Sequence, residues 1–382
     1  MPIIYFMAPY SASATALGAG PVVEPRDIDL GALEELAKKA IGQMAYDYYA
    51  GGAEDGGLVQ ENIAAWGQWN LSPKVLIDVS TISTRTKLLG SDVMGPIVVA
   101  PTALHAMATP GAERDTARAC ARAGAMMTLS SLSNAPLDEV AEAGGGAPQW
   151  MQVYILKDRG RTKEMVEQVA AAGYKALLLT VDAPVSGLRY QELRGGVSLR
   201  DDLELPNLTD ASTTRVKGEG FMAAVCQEFD PSITYDDIAW LSELSHLPVL
   251  AKGVTRSDDA VKCLDAGAAG VVVSNHGGRQ LRDAPAPATV LPEIAESLTG
   301  RGTLLVDGGI RRPADVLKAL ALGADGVLIG RPALWALWSG GEDGLVALLE
   351  WFTLELRRVM ALCGVRSLQE IDATLVRRKV SS

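Results

Sequence analysis

One pattern recurs four times along this chain: an alanine-rich helical stretch, a glycine, and then a short run of apolar residues. The glycines are Gly124, Gly173, Gly267 and Gly323, and the runs they introduce are Ala125 to Leu129, Ala176 to Thr180, Gly270 to Ser274 and Gly326 to Ile329. Each glycine stands where a helix ends in a left-handed residue before the chain turns into a strand. Four further apolar runs complete the set, at Pro96 to Ala100, Pro148 to Tyr154, Pro248 to Ala251 and Thr303 to Val306. Continuous rather than alternating apolar residues mean strands buried on both faces, and the intervening helices mean parallel pairing. Eight such strands predict an α/β chain closed into a (β/α)8 TIM barrel, with an open doubly wound sheet as the alternative. A chain of 382 residues, 48% apolar, can bury the core of one such domain, expected over 25–375.

The segments around the barrel read differently. Leu33, Leu36, Ala37, Ala40, Ile41 and Met44 keep a helical period up to Gly51-Gly52, which predicts an N-terminal helical cap within 25–75. The spacing from Gly173 to Gly267 is far longer than the other two, and the excess falls after the fourth strand, at 189–235, where polar, glycine-rich text replaces the core pattern. A connection that long is expected to be a lid over the barrel mouth. Leu345 to Leu362 carries Leu348, Leu349, Phe352, Leu356 and Val359 on one side, a helix expected on the barrel's outside. Residues 1–24 hold prolines, serines and glycines without the basic start of an export signal, and read as a disordered tail.

Charge and cysteine usage remove several function classes. A formal net charge of −11 leaves no broad basic face for nucleic acid, although a few arginines can still meet a small anion. Cys120, Cys226, Cys263 and Cys363 are scattered with no metal-ligand or haem-attachment spacing, so no metal is expected and the thiols read as reduced and cytoplasmic. No apolar segment in the lid region has the length of a membrane anchor.

Polar residues at the C-terminal ends of barrel strands are where such folds keep reactive groups. Every strand here supplies something: Pro101-Thr102-Ala103, Ser130, Gln152 with Tyr154, Thr180 with Asp182, Lys252, Ser274 with His276, Asp307-Gly308-Gly309, and Gly330-Arg331. His276 is the one histidine of three at such an end, and an imidazole with an ordinary pKa of about 6.5 is a usable base at neutral pH. Lys252 ends a buried strand, a costly place for a charge unless an anion awaits it. Asp307 to Arg311 and Gly330-Arg331 combine free backbone N–H groups with two cations, the way barrels grip a phosphate.

The string Ser274-Asn275-His276-Gly277-Gly278-Arg279-Gln280-Leu281 resembles the active-site text of the FMN-dependent 2-hydroxy acid oxidases and dehydrogenases, S-N-H-G-[GA]-R-Q-L. The resemblance extends from about Ile41 to Leu368. It implies FMN as cofactor and a small (S)-2-hydroxy acid as substrate, oxidised to a 2-oxo acid with His276 as base and Asp182 as its orienting partner. Arg279 and Arg189 are implied to hold the substrate carboxylate, a bidentate task for which lysine is a poor substitute. Tyr48 and Tyr154 match the two active-site tyrosines, while Tyr46 and Tyr49 read as packing. On the cofactor side the resemblance assigns Pro101, Thr102, Ala103, Ser130, Gln152, Thr180, Lys252, Ser274, Asp307, Gly308, Gly309, Arg311, Gly330 and Arg331, with Lys252 facing the flavin edge that becomes negative on reduction. Ala103 resembles the small residue of oxidases, which points to dioxygen as electron acceptor and hydrogen peroxide as product. The alternatives are a quinone or carrier-protein acceptor, an isopentenyl diphosphate isomerase-like FMN barrel, and a non-catalytic barrel. Relatives imply a homotetramer or homo-octamer. Three departures from the family text stand out: Leu132 where glycolate-oxidising members often carry tryptophan, Arg282 in place of an aspartate, and the stretch Arg194 to Arg200. They bear on the substrate's side chain.

Overall fold

The computed structural model describes residues 19–20, 28–195, 203–208 and 225–379. Its centre is a closed barrel of eight parallel strands, β1 (Ile97–Val99), β2 (Met126–Leu129), β3 (Gln149–Val153), β4 (Leu177–Thr180), β5 (Val249–Val254), β6 (Gly270–Val273), β7 (Thr303–Val306) and β8 (Gly326–Ile329), each paired with its sequence neighbours and β8 with β1. All eight lie within or beside the apolar runs predicted, and closure excludes the doubly wound sheet. The four repeat glycines take positive φ, from 63° at Gly124 to 105° at Gly323, which is how each helix stops and frees the chain for the next strand.

Strand residues alternate between two apolar layers. Val98, Met126, Trp150, Leu178, Leu250, Val272, Leu305 and Leu328, one from each strand, fill the barrel interior. Their neighbours, such as Val99, Leu177, Val271 and Val327, face the outer helices. Leu88 and Val93, from the hairpin Thr86–Leu88/Ser91–Val93, join the interior cluster. The period of two then dictates what comes next toward the C-terminal end. Two residues beyond the interior layer stand Ala100, Thr128, Gln152, Thr180, Lys252, Ser274, Asp307 and Gly330. A greasy plug therefore carries a polar floor.

The N-terminal cap departs from its prediction. The expected single helix is two, α1 (Leu30–Ala40) and α2 (Gln43–Ala50), separated at Gly42, whose φ of 80° no helix accommodates. Ala37 of the first helix is buried while Leu36 beside it is exposed, and beyond the break Met44 is exposed as well, off the first helix's apolar stripe. A third helix, α3 (Gly57–Trp66), follows, and Asn62 from it exchanges two hydrogen bonds of 2.8 Å with Asn275 beyond β6, tying cap to barrel mouth.

The outer helices are α4 (Glu113–Ala123), α5 (Leu137–Ala143), α6 (Arg159–Ala171), then the short α7 (Tyr190–Gly195), α8 (Asp236–Ser245), α9 (Ser257–Asp265), α10 (Pro287–Leu298), α11 (Pro313–Ala321) and α12 (Arg331–Leu362). The amphipathic stretch from Leu345 is the second half of α12, which bends at Gly340 and Gly341 and packs against α4, α11 and α1. Of the expected tail, Ala19–Gly20 pair antiparallel with Ile82–Ser83, and the other residues of 1–24 lie outside those described. Of the insertion at 189–235, α7 and residues 203–208 and 225–235 are described. The part of Arg194 to Arg200 beyond Gly195 is not. No helix among the described residues is long and apolar enough to cross a membrane.

Candidate active site

The C-terminal mouth of the barrel holds a pocket of about 1300 Å³ including its opening, closed in by the cap, the strand ends and the start of α7. The floor is a hydrogen-bonded ring built from the inward positions derived above. Gln152 Nε2 donates to Thr180 Oγ1 at 3.0 Å, and the Gln152 carbonyl accepts from Ser130 Oγ and from the Ser131 amide at 3.3 and 3.1 Å. Lys252 Nζ lies 3.0 Å from Ser274 Oγ and 3.0 Å from Asp307 Oδ2. Burial works against the Lys252 charge, yet Asp307 and Asp182 hold its pKa above the ordinary value. Moving an ammonium into such a site costs several kcal/mol, and the partner carboxylate offsets it.

His276 sits at φ 58°, a left-handed turn that lifts its ring off the strand end, and its amide is held by Ser274 Oγ at 3.0 Å. Its Nδ1 lies 2.9 Å from Asp182 Oδ1. Burial raises the Asp182 carboxyl, but the adjacent imidazole and Lys252 outweigh it and hold the pKa below the ordinary range. An ionised carboxylate on Nδ1 fixes the tautomer in which Nδ1 carries hydrogen, leaving Nε2 able to accept a proton. His276 lines the pocket and Asp182 stands behind it.

Arg279 crosses the mouth beneath the cap. Its Nη1 donates to the carbonyls of Tyr48 and Gly51 at 2.6 and 2.9 Å, and its guanidinium lies 5.2 Å from the Tyr48 ring centre. Arg189 reaches the same wall from just before α7, where the Glu54 amide donates to the Leu188 carbonyl at 2.6 Å. Between the guanidinium groups sits Glu192, whose Oε1 accepts from Arg189 Nε at 2.6 Å and from Arg279 Nη2 at 3.2 Å. Tyr48 and Tyr154 face the pocket, burial pushing the Tyr48 hydroxyl up to about 12 and that of Tyr154 further, so both stay protonated hydrogen-bond donors. Tyr154 stacks on Phe229 with ring centres 4.1 Å apart. Tyr46 and Tyr49 pack on Trp335, as expected of them, although Tyr49 also reaches the pocket wall.

The far end of the pocket is an anion cradle. Gly308 and Gly309 both take positive φ, and a Cβ on Gly309 would lie 2.1 Å from the Asn62 carbonyl, so only glycine lets this turn pass under the cap. Gly330 is the N-cap of α12, where Pro332 has no N–H and the amides of Ala333 and Leu334 donate to the Gly330 carbonyl at 2.9 and 3.3 Å, so the helix start offers the Arg331 amide alone. Arg311 and Arg331 line the cradle, half-buried, and Arg331 donates to the carbonyls of Tyr49, Gly277 and Gly51 at 2.9, 2.9 and 2.7 Å; desolvation first, then Arg279 and Arg311, push its guanidinium down to about 9. Guanidinium groups that crowd one another beside a glycine-rich turn suit an anionic group such as a phosphate. Asp307, whose Oδ2 pairs with Lys252, also lines the pocket, and its Oδ1 is buried without a hydrogen-bond partner. Pro101, Thr102 and Ala103 form the opposite wall. A flat polar ring system bearing a phosphate tail fits this lining from end to end. Among the described residues no cluster has the makings of a metal site.

The sequence-derived residues thus converge on one mouth, with Asp182 and Ser274 one layer behind the lining. Four contributors escaped sequence reasoning. Glu192 carried a faint signal, an acid three residues after an arginine on one helical turn. Cys226 and Phe229 reach the pocket from the far end of the insertion, which periodicity could not foresee. His105 lies just beyond β1, buried, its Nε2 2.5 Å from Thr102 Oγ1 and its Nδ1 2.8 Å from Thr116 Oγ1. Arg282, one of the departures from the family text, lies outside the pocket and pairs with Asp55 and Glu61 of the cap.

Residues 37–378 match the family model described as FMN-dependent dehydrogenase. An L-lactate oxidase from Nostoc sp. is 46% identical over 356 residues, 91% of this chain and 98% of the relative. The human 2-hydroxyacid oxidase 1 is 43% identical over 361 residues, 93% and 97% of the two chains. Among solved structures, mandelate oxidase with (S)-4-hydroxymandelic acid superposes with a TM-score of 0.87 at 35% identity, covering 93% of this chain and 99% of that one.

Proposed function

Since this chain belongs to the FMN-dependent dehydrogenase family, we propose that it oxidises an (S)-2-hydroxy acid to the corresponding 2-oxo acid, with dioxygen as final acceptor and hydrogen peroxide as the second product. The observation that carries this reading is the convergence of the His276–Asp182 pair, the two arginines and the anion cradle on one pocket. FMN, when bound, supplies the two-electron acceptor. Ser130, Gln152, Thr180, Lys252 and Ser274 would hold its polar ring edge, Pro101 to Ala103 its face, and Asp307 to Gly309, Arg311, Gly330 and Arg331 its tail.

The chain's own groups do the rest. Arg279 and Arg189 bind the substrate carboxylate in a wall of low polarity, where charge-assisted hydrogen bonds are strong. Tyr48 and Tyr154 donate to the substrate's oxygens and so set which face of its C2 turns inward. His276 Nε2 receives a proton from the substrate, and Asp182, ionised below its ordinary pKa, stabilises the imidazolium as it forms. Lys252 keeps a fixed positive charge at the ring edge. Leu132, Val185, Cys226 and Phe229 also line the pocket, and these weakly polar side chains support an apolar substrate side chain larger than a hydrogen atom.

Oxidase relatives such as the L-lactate oxidase from Nostoc sp. support dioxygen over a quinone or carrier protein. The homotetramer or homo-octamer that the resemblance implies is part of this reading, and the exposed apolar run Val75, Leu76 and Ile77 is a surface that such an assembly could cover. Four free thiols support a reducing compartment such as the cytoplasm. Purified protein is expected to be yellow, to lose colour under argon with at least one (S)-2-hydroxy acid and to regain it in air with release of peroxide. A colourless protein that takes up no FMN, or a yellow one that no 2-hydroxy acid bleaches, contradicts the reading.

A further inference from the structure

We propose that Glu192 is a positioning residue that sets the charge of the carboxylate site to match a monoanion, and so makes the enzyme discriminate against dicarboxylic acids. The inference rests on the reading of Arg189 and Arg279 as the carboxylate-binding pair. Both guanidinium groups line the pocket and Glu192 does not. Its Oε1 bridges them from behind, at 2.6 Å from Arg189 Nε and 3.2 Å from Arg279 Nη2. All three side chains are largely buried, with exposures of 13% for Arg189, 18% for Arg279 and 11% for Glu192.

Two arginines in a dry wall present two positive charges to whatever binds there. With Glu192 between them the set carries one, and one carboxylate neutralises it. A second carboxylate on the ligand would then be buried without a counter-charge, which a protein interior penalises heavily. Glu192 also has a mechanical part. It joins the first turn of α7 to Arg279, which the cap carbonyls of Tyr48 and Gly51 hold in turn. Gln191 donates to Asp47 beside it, so α7 is fastened to α2 directly through Gln191 and indirectly, by way of Arg279 and the Tyr48 carbonyl, through Glu192. The bridge therefore holds the guanidinium groups at a fixed separation while cancelling one of their charges.

Oxamate and oxalate test this, because they are nearly isosteric and differ by one charge. Their affinities for the FMN-loaded enzyme can be measured by titration calorimetry, independent of turnover. Glu192→Gln is expected to shift the oxalate-to-oxamate affinity ratio toward oxalate by roughly tenfold, the scale of one partly screened buried charge. Glu192→Asp, which keeps the charge, should keep the wild-type ratio. Arg189→Gln should move the ratio the opposite way, and it keeps the test open should Glu192→Gln not fold. The double variant Arg189→Gln/Glu192→Gln restores a single positive charge and should return the ratio toward wild type. If wild type binds both anions and Glu192→Gln or Arg189→Gln leaves the ratio unchanged, the inference is overturned while the proposed function stands. If wild type binds neither anion, the reading of the two arginines fails and takes the inference with it.

Discussion

Asp182 Oδ1 lies 2.9 Å from His276 Nδ1, across the gap between the ends of β4 and β6, and Lys252 from the strand between them sends its charge toward the same carboxylate. This arrangement decides which imidazole nitrogen is free. It also keeps the carboxylate behind the imidazole ionised, as the proposed role of His276 as base requires.

Replacing Asp182 with asparagine removes that charge and allows the ring to settle in the wrong tautomer. The rate of flavin reduction by substrate is expected to fall at least about tenfold, with FMN affinity little changed. Stopped-flow absorbance separates the two effects.

The pH dependence of stability has two edges. Asp182 has a folded pKa below its ordinary 3.8, so its contribution is present above that value and is lost as pH falls through the folded pKa. Lys252 has a folded pKa above its ordinary 10.5, so its contribution is complete below that value and is lost as pH rises through the folded pKa. Lys252→Met leaves Asp307 as a buried unpaired charge, and denaturant unfolding at neutral pH should report a loss of about 3 kcal/mol. The deficit relative to wild type should shrink above pH 10.5. A variant as stable as wild type would mean that the pair is not buried as described.

Arg331 and Arg311 are half-buried cations crowded into one cradle, so removing their anion should weaken the fold. Apoprotein stripped of FMN is expected to melt several degrees below the loaded enzyme, the binding term being about 2.7 kcal/mol at a hundredfold excess over Kd. Arg331→Met should reduce FMN affinity by about ten- to a hundredfold, measured by quenching of flavin fluorescence.

Arg279→Lys keeps one positive charge but cannot reach the Tyr48 and Gly51 carbonyls and Glu192 together. KM for the substrate is expected to rise at least about tenfold, with a smaller change in kcat. An unchanged KM would remove Arg279 from the carboxylate site.

How much of this was legible in the sequence follows from what each feature depends on. The barrel strands were readable because burial on both faces leaves unbroken apolar runs, and the helix-ending glycines because a left-handed residue tolerates little else. The polar floor was readable for the same reason, as Gln152, Thr180, Lys252 and Ser274 each interrupt an apolar run at its C-terminal end. The break at Gly42 was hidden by an apolar period that continues across it. Glu192 was hidden because its significance lies in contact with Arg279, 87 residues away in sequence. Phe229 and Cys226 arrive from the insertion, where no periodicity marks which side chains turn inward.

The central claim is that His276 takes the substrate proton in a pocket where every other group is already in place. Anaerobic mixing of an (S)-2-hydroxy acid with FMN-loaded wild type and with His276→Ala tests it most directly. The account predicts equal FMN content and a rate of flavin bleaching about a hundred- to ten-thousandfold lower in the variant. Bleaching of the variant at the wild-type rate would contradict it.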